Sequence, residues 1–215
     1  MSLVLHQHPF ASYCQKVLVA LYELDVPFES EIVDDEAARA RHAELWPLAS
    51  IPVLRDTAAD LTLPESTSII EYLDADHQLI PADGLKARLW DRIIDGHVAT
   101  PMQKIVGDSL RPEGATDPTG VAMARDTLDT AYGALDAQLA DRRWLAGDAF
   151  TVADCAAAPV LFYMRAIHRW QQPNISRYYR DLVARPSFAR VIEEARPFRG
   201  LFPLPWPEDQ DDLTP

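Results

Sequence analysis

Apolar positions in the first third of the chain switch between strand-like runs and helix-like spacing. Residues 3–5 form a short apolar run, and from Ser12 the apolar side chains recur at helical spacing until residues 25–27. The pattern continues with a strand at 28–33, a weaker helix at 35–45, a hairpin of 51–55 and 61–63, and a helix after Glu65. The order β-α-β-α-β-β-α predicts an α/β domain with parallel crossovers at its start and an antiparallel hairpin at its end.

Beyond residue 85 the apolar spacing is helical, and no strand pattern occurs. One stripe comprises Leu85, Leu89, Ile93, Ile94 and Val98, and further helical segments cover 118–141, 152–170, 175–185 and 187–195. Residues 77–84 contain proline and glycine without periodicity, which is typical of a linker. We therefore expect an α/β domain over 1–76, a linker over 77–84, an all-helical domain over 85–200 and an extended acidic tail over 201–215.

One helix start carries a strong local signal. Thr151 precedes an apolar segment, and Asp154 follows it three residues later. A threonine and a carboxylate at this spacing satisfy each other's backbone amides at a helix start. The pattern predicts a capping box rather than a catalytic carboxylate at Asp154.

Charge and cysteine content narrow the classes of function. The 215 residues include 33 acidic and 20 basic side chains, a formal net charge of −13. A field of this sign repels nucleic-acid phosphate and anionic membranes, so we expect neither as a partner. The chain has two cysteines, too few for a disulfide framework or a cysteine-based metal site. With no signal-peptide pattern at the N-terminus, this composition predicts a cytoplasmic protein without a bound metal.

The turn before the first helix is the first candidate site. Ligands of open α/β sheets bind beyond the carboxyl ends of strands, where free amides and the helix dipole favour an anion. Ser12 adds a hydroxyl there, although serine is also a common helix cap. Cys14 lies in the same first turn, where a lowered thiol pKa and simple packing are both open. A Cys-x-x-Cys redox pair is excluded because Ala11 occupies the other position.

Two further segments form a second candidate site. Pro52 begins a predicted strand. It is either an ordinary proline at the edge or start of the strand, or it follows a cis peptide bond after Ile51. The backbone of Ile51 would then be free to pair with a peptide-like ligand. Glu65 and Ser66 open a helix, where they act as a cap or bind the ammonium and carboxylate of an amino-acid head group.

Taken together, four segments resemble the cytosolic glutathione transferase superfamily. They are the turn around Ser12, Trp46-Pro-Leu-Ala-Ser-Ile-Pro-Val-Leu54, Glu65-Ser-Thr-Ser-Ile-Ile-Glu-Tyr-Leu73 and Trp144-Leu-Ala-Gly-Asp-Ala-Phe-Thr-Val-Ala-Asp154. The resemblance extends over nearly the whole chain. It implies a thioredoxin-like N-terminal domain, an all-helical C-terminal domain, a homodimer, and glutathione as cosubstrate without a further cofactor.

The resemblance also implies roles for individual residues. Pro52 matches the cis-proline, Ile51 the residue that pairs with the cysteinyl part of glutathione, and Glu65 with Ser66 the pair that holds the γ-glutamyl end. Ser12 matches the serine that activates the thiol. A shift of one residue would place Ala11 there and leave Cys14 or a backbone amide to act. Ser50 stands where the family pattern has a lysine, which removes one contact to the glycyl carboxylate.

The implied reaction is attack by glutathione thiolate on a small hydrophobic electrophile. We expect the electrophile pocket between the Ser12 turn and the first long C-terminal helix. Its candidate lining is Phe10, Trp90, Asp95, His97, Met102 and Gln103, with His97 either an acid–base group or a surface histidine. Three alternatives remain: a glutathione-dependent isomerase or dehalogenase, a noncatalytic binding module on the same fold, and a thioredoxin-type redox protein.

Overall fold

The computed structural model describes residues 2–206, and its N-terminal half is built around one four-stranded sheet. The elements are β1 (Leu3–Gln7), α1 (Ser12–Glu23), β2 (Glu29–Ile32), α2 (Glu36–Leu45), β3 (Val53–Asp56), β4 (Leu61–Pro64) and α3 (Ser66–Leu73). The sheet order is β2-β1-β3-β4, with β1 parallel to β2 and antiparallel to β3, and with β3 antiparallel to β4. The predicted element order is confirmed, including the hairpin.

The second half is helical in the described residues. It contains α4 (Leu85–Ile94), α5 (Thr100–Ser109), α6 (Pro118–Gln138), α7 (Val152–Ile167), α8 (Pro173–Val183) and α9 (Pro186–Ala195). A π-helical turn, Asp95–Ala99, joins α4 to α5, and a 3₁₀ turn, Arg196–Leu201, follows α9. The sequence did not predict α5 or the π turn. The expected fold class, an α/β half followed by an all-helical half, is confirmed.

The two halves share one hydrophobic core, in which α7 is central. Residues 152–164 of α7 are all buried, and this helix packs against both α1 and α4. The predicted capping box at its start is present: Thr151 N–H donates to the Asp154 carboxylate at 2.8 Å. Leu145 N–H donates to the same carboxylate at 3.0 Å, and the Tyr178 hydroxyl donates at 2.6 Å. Asp154 therefore has a structural explanation.

The segment predicted as a linker is well anchored. The Asp74 carboxylate accepts the backbone amides of Gln78, Leu79 and Ile80 at 2.7, 3.0 and 2.7 Å. Leu79 and Ile80 are buried, and the Leu79 carbonyl accepts the Val152 amide at 3.0 Å. This connection therefore packs into the core and reaches the start of α7.

The described part of the predicted tail folds back onto the protein. Phe202 stacks on Tyr163 with ring centroids 6.0 Å apart, and Trp206 lies 5.2 Å from the ring of Phe162. The acidic run 208–212 lies outside the described residues. Within residues 2–206 we find neither a helix long and apolar enough to cross a bilayer nor a group of three potential metal ligands.

Candidate active site

Two adjoining cavities lie where the α/β half meets the helical half. One, of about 470 Å³, is lined largely by polar side chains from α3 and the α4–α5 junction, and we call it the polar cavity. The other, of about 540 Å³, is lined largely by apolar side chains, and we call it the apolar cavity. Tyr13, Ser50 and Ile51 line both. A molecule that spans this junction would touch the α1 turn and the start of β3 at once.

Ser12 lies at the apolar cavity as the first residue of α1. The N-cap is Ala11, and no side chain caps this helix. Ser12 is 5% exposed, and its hydroxyl accepts a long hydrogen bond from Gln103 Nε2 at 3.5 Å. The alternative that Ser12 is only a helix cap is therefore wrong, since its hydroxyl faces α5 rather than the amides of its own helix.

Cys14 does not have the properties of a reactive thiol. It is fully buried and is absent from the described lining of both cavities. Burial raises the pKa of the Cys14 thiol to about 12, against a hydrogen bond with the backbone of His8 that lowers it. The catalytic candidate Cys14 is therefore better described as a packing residue of α1, because burial disfavours its charged thiolate. Cys155 is likewise fully buried, as expected.

The start of β3 presents its backbone at the cavity junction. The bond between Ile51 and Pro52 is cis, and Pro52 is buried while Ile51 is half-buried. Ser50, which replaces the lysine of the family pattern, has two neighbours from α2 and its C-terminal end. His42 Nε2 lies 2.9 Å from the Ser50 carbonyl, and Trp46 Nε1 donates to its hydroxyl at 3.2 Å.

Glu65 and Ser66 meet at the polar cavity, as the sequence predicts. Glu65 is the N-cap of α3 with φ 71° and ψ 117°, a conformation that residues with side chains rarely adopt. Its side chain makes no capping hydrogen bond, and it is exposed at the cavity. Ser66 begins the helix and is buried. Backbone strain of this kind is typical of ligand sites and costs on the order of 1–3 kcal/mol.

A buried lysine, which the sequence did not reveal, contacts two residues that line the polar cavity. Lys16 of α1 is 1% exposed. Its ammonium lies 2.6 Å from the Asp91 carboxylate, 2.9 Å from Asp95 Oδ2 and 2.9 Å from the Thr67 hydroxyl. These partners belong to α4, the π turn and α3. Lys16 therefore ties both halves of the protein together just beneath the cavity.

Asp95 and Arg92 bring charge from the helical half to the polar cavity. Asp95 Oδ2 is paired with Lys16, whereas its buried Oδ1 has no hydrogen-bond partner among residues 2–206. A buried acceptor without a partner is costly, and Asp95 is one of the residues that line the polar cavity. Asp95 was expected at the electrophile pocket, and the structure places it instead in the lining of the polar cavity, which Glu65 also lines.

Some of the residues expected at the electrophile pocket line the apolar cavity, and others do not. Phe10, Met102 and Gln103 line the apolar cavity. Trp90 and His97 lie outside the described lining of both cavities: Trp90 packs against the core, and His97 is exposed. Trp90 lies within α4, and His97 lies within the π turn that joins α4 to α5. The wall also includes residues that were not expected, among them Val106, Tyr163, Ile167 and Phe202.

The family models and curated relatives that match this chain are glutathione S-transferases. Residues 5–81 match the family model for the glutathione S-transferase N-terminal domain, and residues 107–193 match that for the C-terminal domain. Glutathione S-transferase GstB of Escherichia coli K12 is 30% identical over 190 residues, covering 83% of this chain and 91% of the relative. Glutathione S-transferase PARB of Nicotiana tabacum is 26% identical over 212 residues, covering 90% and 99%.

A solved structure of a glutathione S-transferase has a similar fold. The crystal structure of a glutathione S-transferase from Methylobacillus flagellatus with glutathione bound superposes with a TM-score of 0.82 at 28% identity, covering 88% of this chain and 98% of that one. The fold, the matches in both halves and the similarity to whole-length relatives show that the chain belongs to the cytosolic glutathione transferase superfamily.

Proposed function

We propose that this glutathione S-transferase binds glutathione along the α1 turn, β3 and α3, and conjugates its thiolate to a small hydrophobic electrophile. The single observation that carries the proposal is the junction of a polar and an apolar cavity at Tyr13, Ser50 and Ile51. The α/β domain, 1–76, would supply most contacts to glutathione, and the helical domain, 85–200, most contacts to the electrophile. No cofactor enters this mechanism.

The polar cavity suits the γ-glutamyl end, which carries an ammonium and a carboxylate. Glu65 and the free Oδ1 of Asp95 are acceptors for the ammonium. The Ser66 hydroxyl and the first amides of α3 are donors for the carboxylate, and Arg92 adds a positive charge. The backbone of Ile51 would pair with the cysteinyl residue, which places the sulfur at the cavity junction.

We propose Ser12 as the group that activates the thiol. A hydroxyl that donates to sulfur stabilises the thiolate relative to the thiol, and the N-terminal end of α1 adds its dipole. Lowering the thiol pKa by one unit requires about 1.36 kcal/mol of preferential stabilisation, within the range of these two interactions. Tyr13 is the competing hydroxyl, because it also lies at the junction. Desolvation and the carboxylates of Asp95 and Glu65 raise the pKa of Tyr13, so it would remain a protonated donor.

The apolar cavity suits an uncharged, largely apolar electrophile. Among its described lining residues none carries a formal charge. The rings of Phe10, Tyr163 and Phe202 contact one another there, with centroid separations of 5.3 to 6.4 Å. Gln103 is the polar side chain best placed to orient a substrate, since it lies beside Ser12. Electrophiles of this class are typical of detoxification, and we propose that role in the cytoplasm.

We further propose a homodimer that uses the exposed faces of α3 and α4. Tyr72, Leu85 and Leu89 are 40%, 78% and 52% exposed. The two helices are joined at this surface by an ion pair, in which Arg88 Nε lies 2.9 Å from the Glu71 carboxylate. An apolar surface of this kind is suited to a second copy of the chain.

The test combines binding and turnover. Titration calorimetry should give heat with glutathione, and a chlorinated aromatic electrophile should be conjugated. No heat at millimolar glutathione would favour the noncatalytic binding module, whereas binding with turnover only in an isomerisation or dehalogenation assay would favour the alternative enzyme. Replacing Ser12 with alanine should lower turnover and leave glutathione affinity nearly unchanged. If Tyr13→Phe has this effect and Ser12→Ala does not, Tyr13 is the activating group.

A further inference from the structure

A buried hydrogen-bond cluster lies directly behind the Ser12 turn. The Tyr163 hydroxyl of α7 donates to the Phe10 carbonyl at 2.9 Å. Gln15 Nε2 of α1 donates to the Pro9 carbonyl at 2.8 Å and to the Tyr163 hydroxyl at 3.0 Å. Gln15 is 1% exposed and Tyr163 is 5% exposed. Two side chains that are 148 positions apart thus hold two consecutive carbonyls of one turn.

These carbonyls depend on the cluster. The Pro9 carbonyl is in a buried bond and the Phe10 carbonyl in a partly buried one, and the turn's own backbone bond, from Ala11 N–H to the His8 carbonyl at 3.0 Å, involves neither. Pro9 has no N–H with which to make another turn bond. Ser12 follows Phe10 by two residues, so the direction of its hydroxyl depends on where these carbonyls are held. Side-chain donors from α1 and α7 therefore set the geometry of the turn.

The hydroxyl of Tyr163 makes its hydrogen bonds within this cluster, although the ring of Tyr163 lines the apolar cavity. Its proton is donated to Phe10, and its oxygen accepts from Gln15. Burial also raises the pKa of Tyr163, so the group stays protonated. Its ring is held between Phe10, edge-on at 5.3 Å, and Phe202, stacked at 6.0 Å. Tyr163 thus touches the electrophile cavity with its ring and the thiol-activating turn with its hydroxyl.

We infer that Tyr163 and Gln15 are positioning residues for thiol activation, which hold the Pro9 and Phe10 carbonyls so that the Ser12 hydroxyl donates to the sulfur of glutathione. The inference rests on the proposed role of Ser12. It follows that the helical domain contributes to the acidity of the thiol as well as to electrophile binding. Loss of the Tyr163 hydroxyl should raise the pKa of the bound thiol without loosening glutathione.

The experiment compares Tyr163→Phe with a matched control, Tyr132→Phe. Tyr132 is 1% exposed, and its hydroxyl donates to the His168 carbonyl at 2.7 Å, away from the lining of both cavities. Both variants lose one hydroxyl-to-carbonyl bond and keep the ring, and Tyr163→Phe also loses the bond that its oxygen accepts from Gln15, so its loss of stability should be the larger. The pKa of bound glutathione is read from the ultraviolet absorbance of the thiolate as a function of pH. The electrophile assay gives kcat and the KM for glutathione.

For Tyr163→Phe we expect the thiol pKa to rise by about 0.5–1 unit and kcat near neutral pH to fall about three- to tenfold, the effect of one hydrogen bond. The KM for glutathione should change less than about twofold, and the deficit in kcat should vanish at high pH, where the thiol ionises without help. Gln15→Met should shift the pKa in the same direction. It provides the test if Tyr163→Phe does not fold. Tyr132→Phe should leave the pKa unchanged.

A double variant separates this inference from the proposed function. Adding Tyr163→Phe to Ser12→Ala should raise the thiol pKa little further, because Tyr163 acts through Ser12. If Ser12→Ala shifts the pKa and Tyr163→Phe and Gln15→Met do not, the inference is wrong and the role of Ser12 stands. A full additive shift, or an equal shift in Tyr132→Phe, would also overturn it. If Ser12→Ala leaves the pKa unchanged, both proposals fail.

Discussion

Lys16 and Asp91 form an ion pair 2.6 Å apart between α1 and α4, with side-chain exposures of 1% and 0%. The pair joins the α/β half to the helical half at a position where both side chains are buried. Lys16 also holds Asp95 and Thr67, so one ammonium group organises three acceptors beside the polar cavity. Removing one partner of a buried pair is costly, because it leaves the other charge without compensation.

We therefore expect Lys16→Met to lower the free energy of unfolding by about 3–5 kcal/mol. The measurement is chemical denaturation, with Lys86→Met as the control, since Lys86 is an exposed residue of α4. The control should change stability by less than about 0.5 kcal/mol. Equal stability of the two variants would show that the pair does not hold the halves together.

The unpaired Oδ1 of Asp95 leads to a prediction on ligand recognition. Asp95→Asn should weaken glutathione binding about five- to tenfold, because a charged acceptor for the ammonium is lost. A glutathione analogue without the amino group should bind the wild-type protein and the variant equally in titration calorimetry. The control is Asp76→Asn, an exposed carboxylate outside the described lining of the polar cavity. Equal weakening for both ligands would assign Asp95 a purely structural role.

Glu65→Gln and Ser66→Ala should likewise weaken binding of glutathione while changing kcat at saturation little. Both residues contact the end of the molecule that is remote from sulfur in the proposed binding mode. Affinities by calorimetry, compared with kcat from the electrophile assay, check this separation. Unchanged affinity in both variants would discredit the head-group site.

We expect the Cys14 thiol to be unreactive in the native protein. Burial raises the pKa of its thiol to about 12, so the thiolate is negligible near neutral pH and the group is sealed from solvent. Alkylating reagents should leave the native protein unmodified and should modify Cys14 after denaturation. Cys14→Ala should retain kcat within about twofold, with a stability loss of about 1–2 kcal/mol for the lost packing. Rapid native alkylation, or loss of turnover in the variant, would restore Cys14 as a catalytic candidate.

The proposed dimer surface is testable by charge insertion. Leu89→Glu should shift the protein toward monomers in sedimentation velocity, because an unpaired carboxylate is costly in an apolar interface. Met123 of α6 is 65% exposed and supplies the control, Met123→Glu, which should sediment as the wild type does. A dimer that persists in Leu89→Glu would place the subunit contact elsewhere.

The structural features that depend on the spacing of nearby residues could be predicted from the sequence. The element order of the sheet, the capping box at Thr151 and the helix that begins after Glu65 all follow from patterns within a few residues. The resemblance to the family placed Ile51 and Pro52, where the bond is cis, at one cavity with Ser66.

The remaining features depend on contacts between distant segments. Lys16 looks like a solvated helix residue until α4 and the π turn each bring a carboxylate to it. Tyr163 lies 153 positions from the carbonyl that it binds. Trp90 and His97 lie outside the described lining of both cavities, which depends on how α4, α5 and the α/β domain pack together. No periodicity within a single helix reveals these relationships.

The central claim is that the sulfur of glutathione lies against the Ser12 hydroxyl, and a crystal structure with glutathione bound tests it most directly. We expect the sulfur within about 3.5 Å of Ser12 Oγ, with the cysteinyl backbone paired to Ile51 and the ammonium beside Asp95 Oδ1. A sulfur bonded to Tyr13 Oη instead, or glutathione bound outside the junction of the two cavities, would contradict the account.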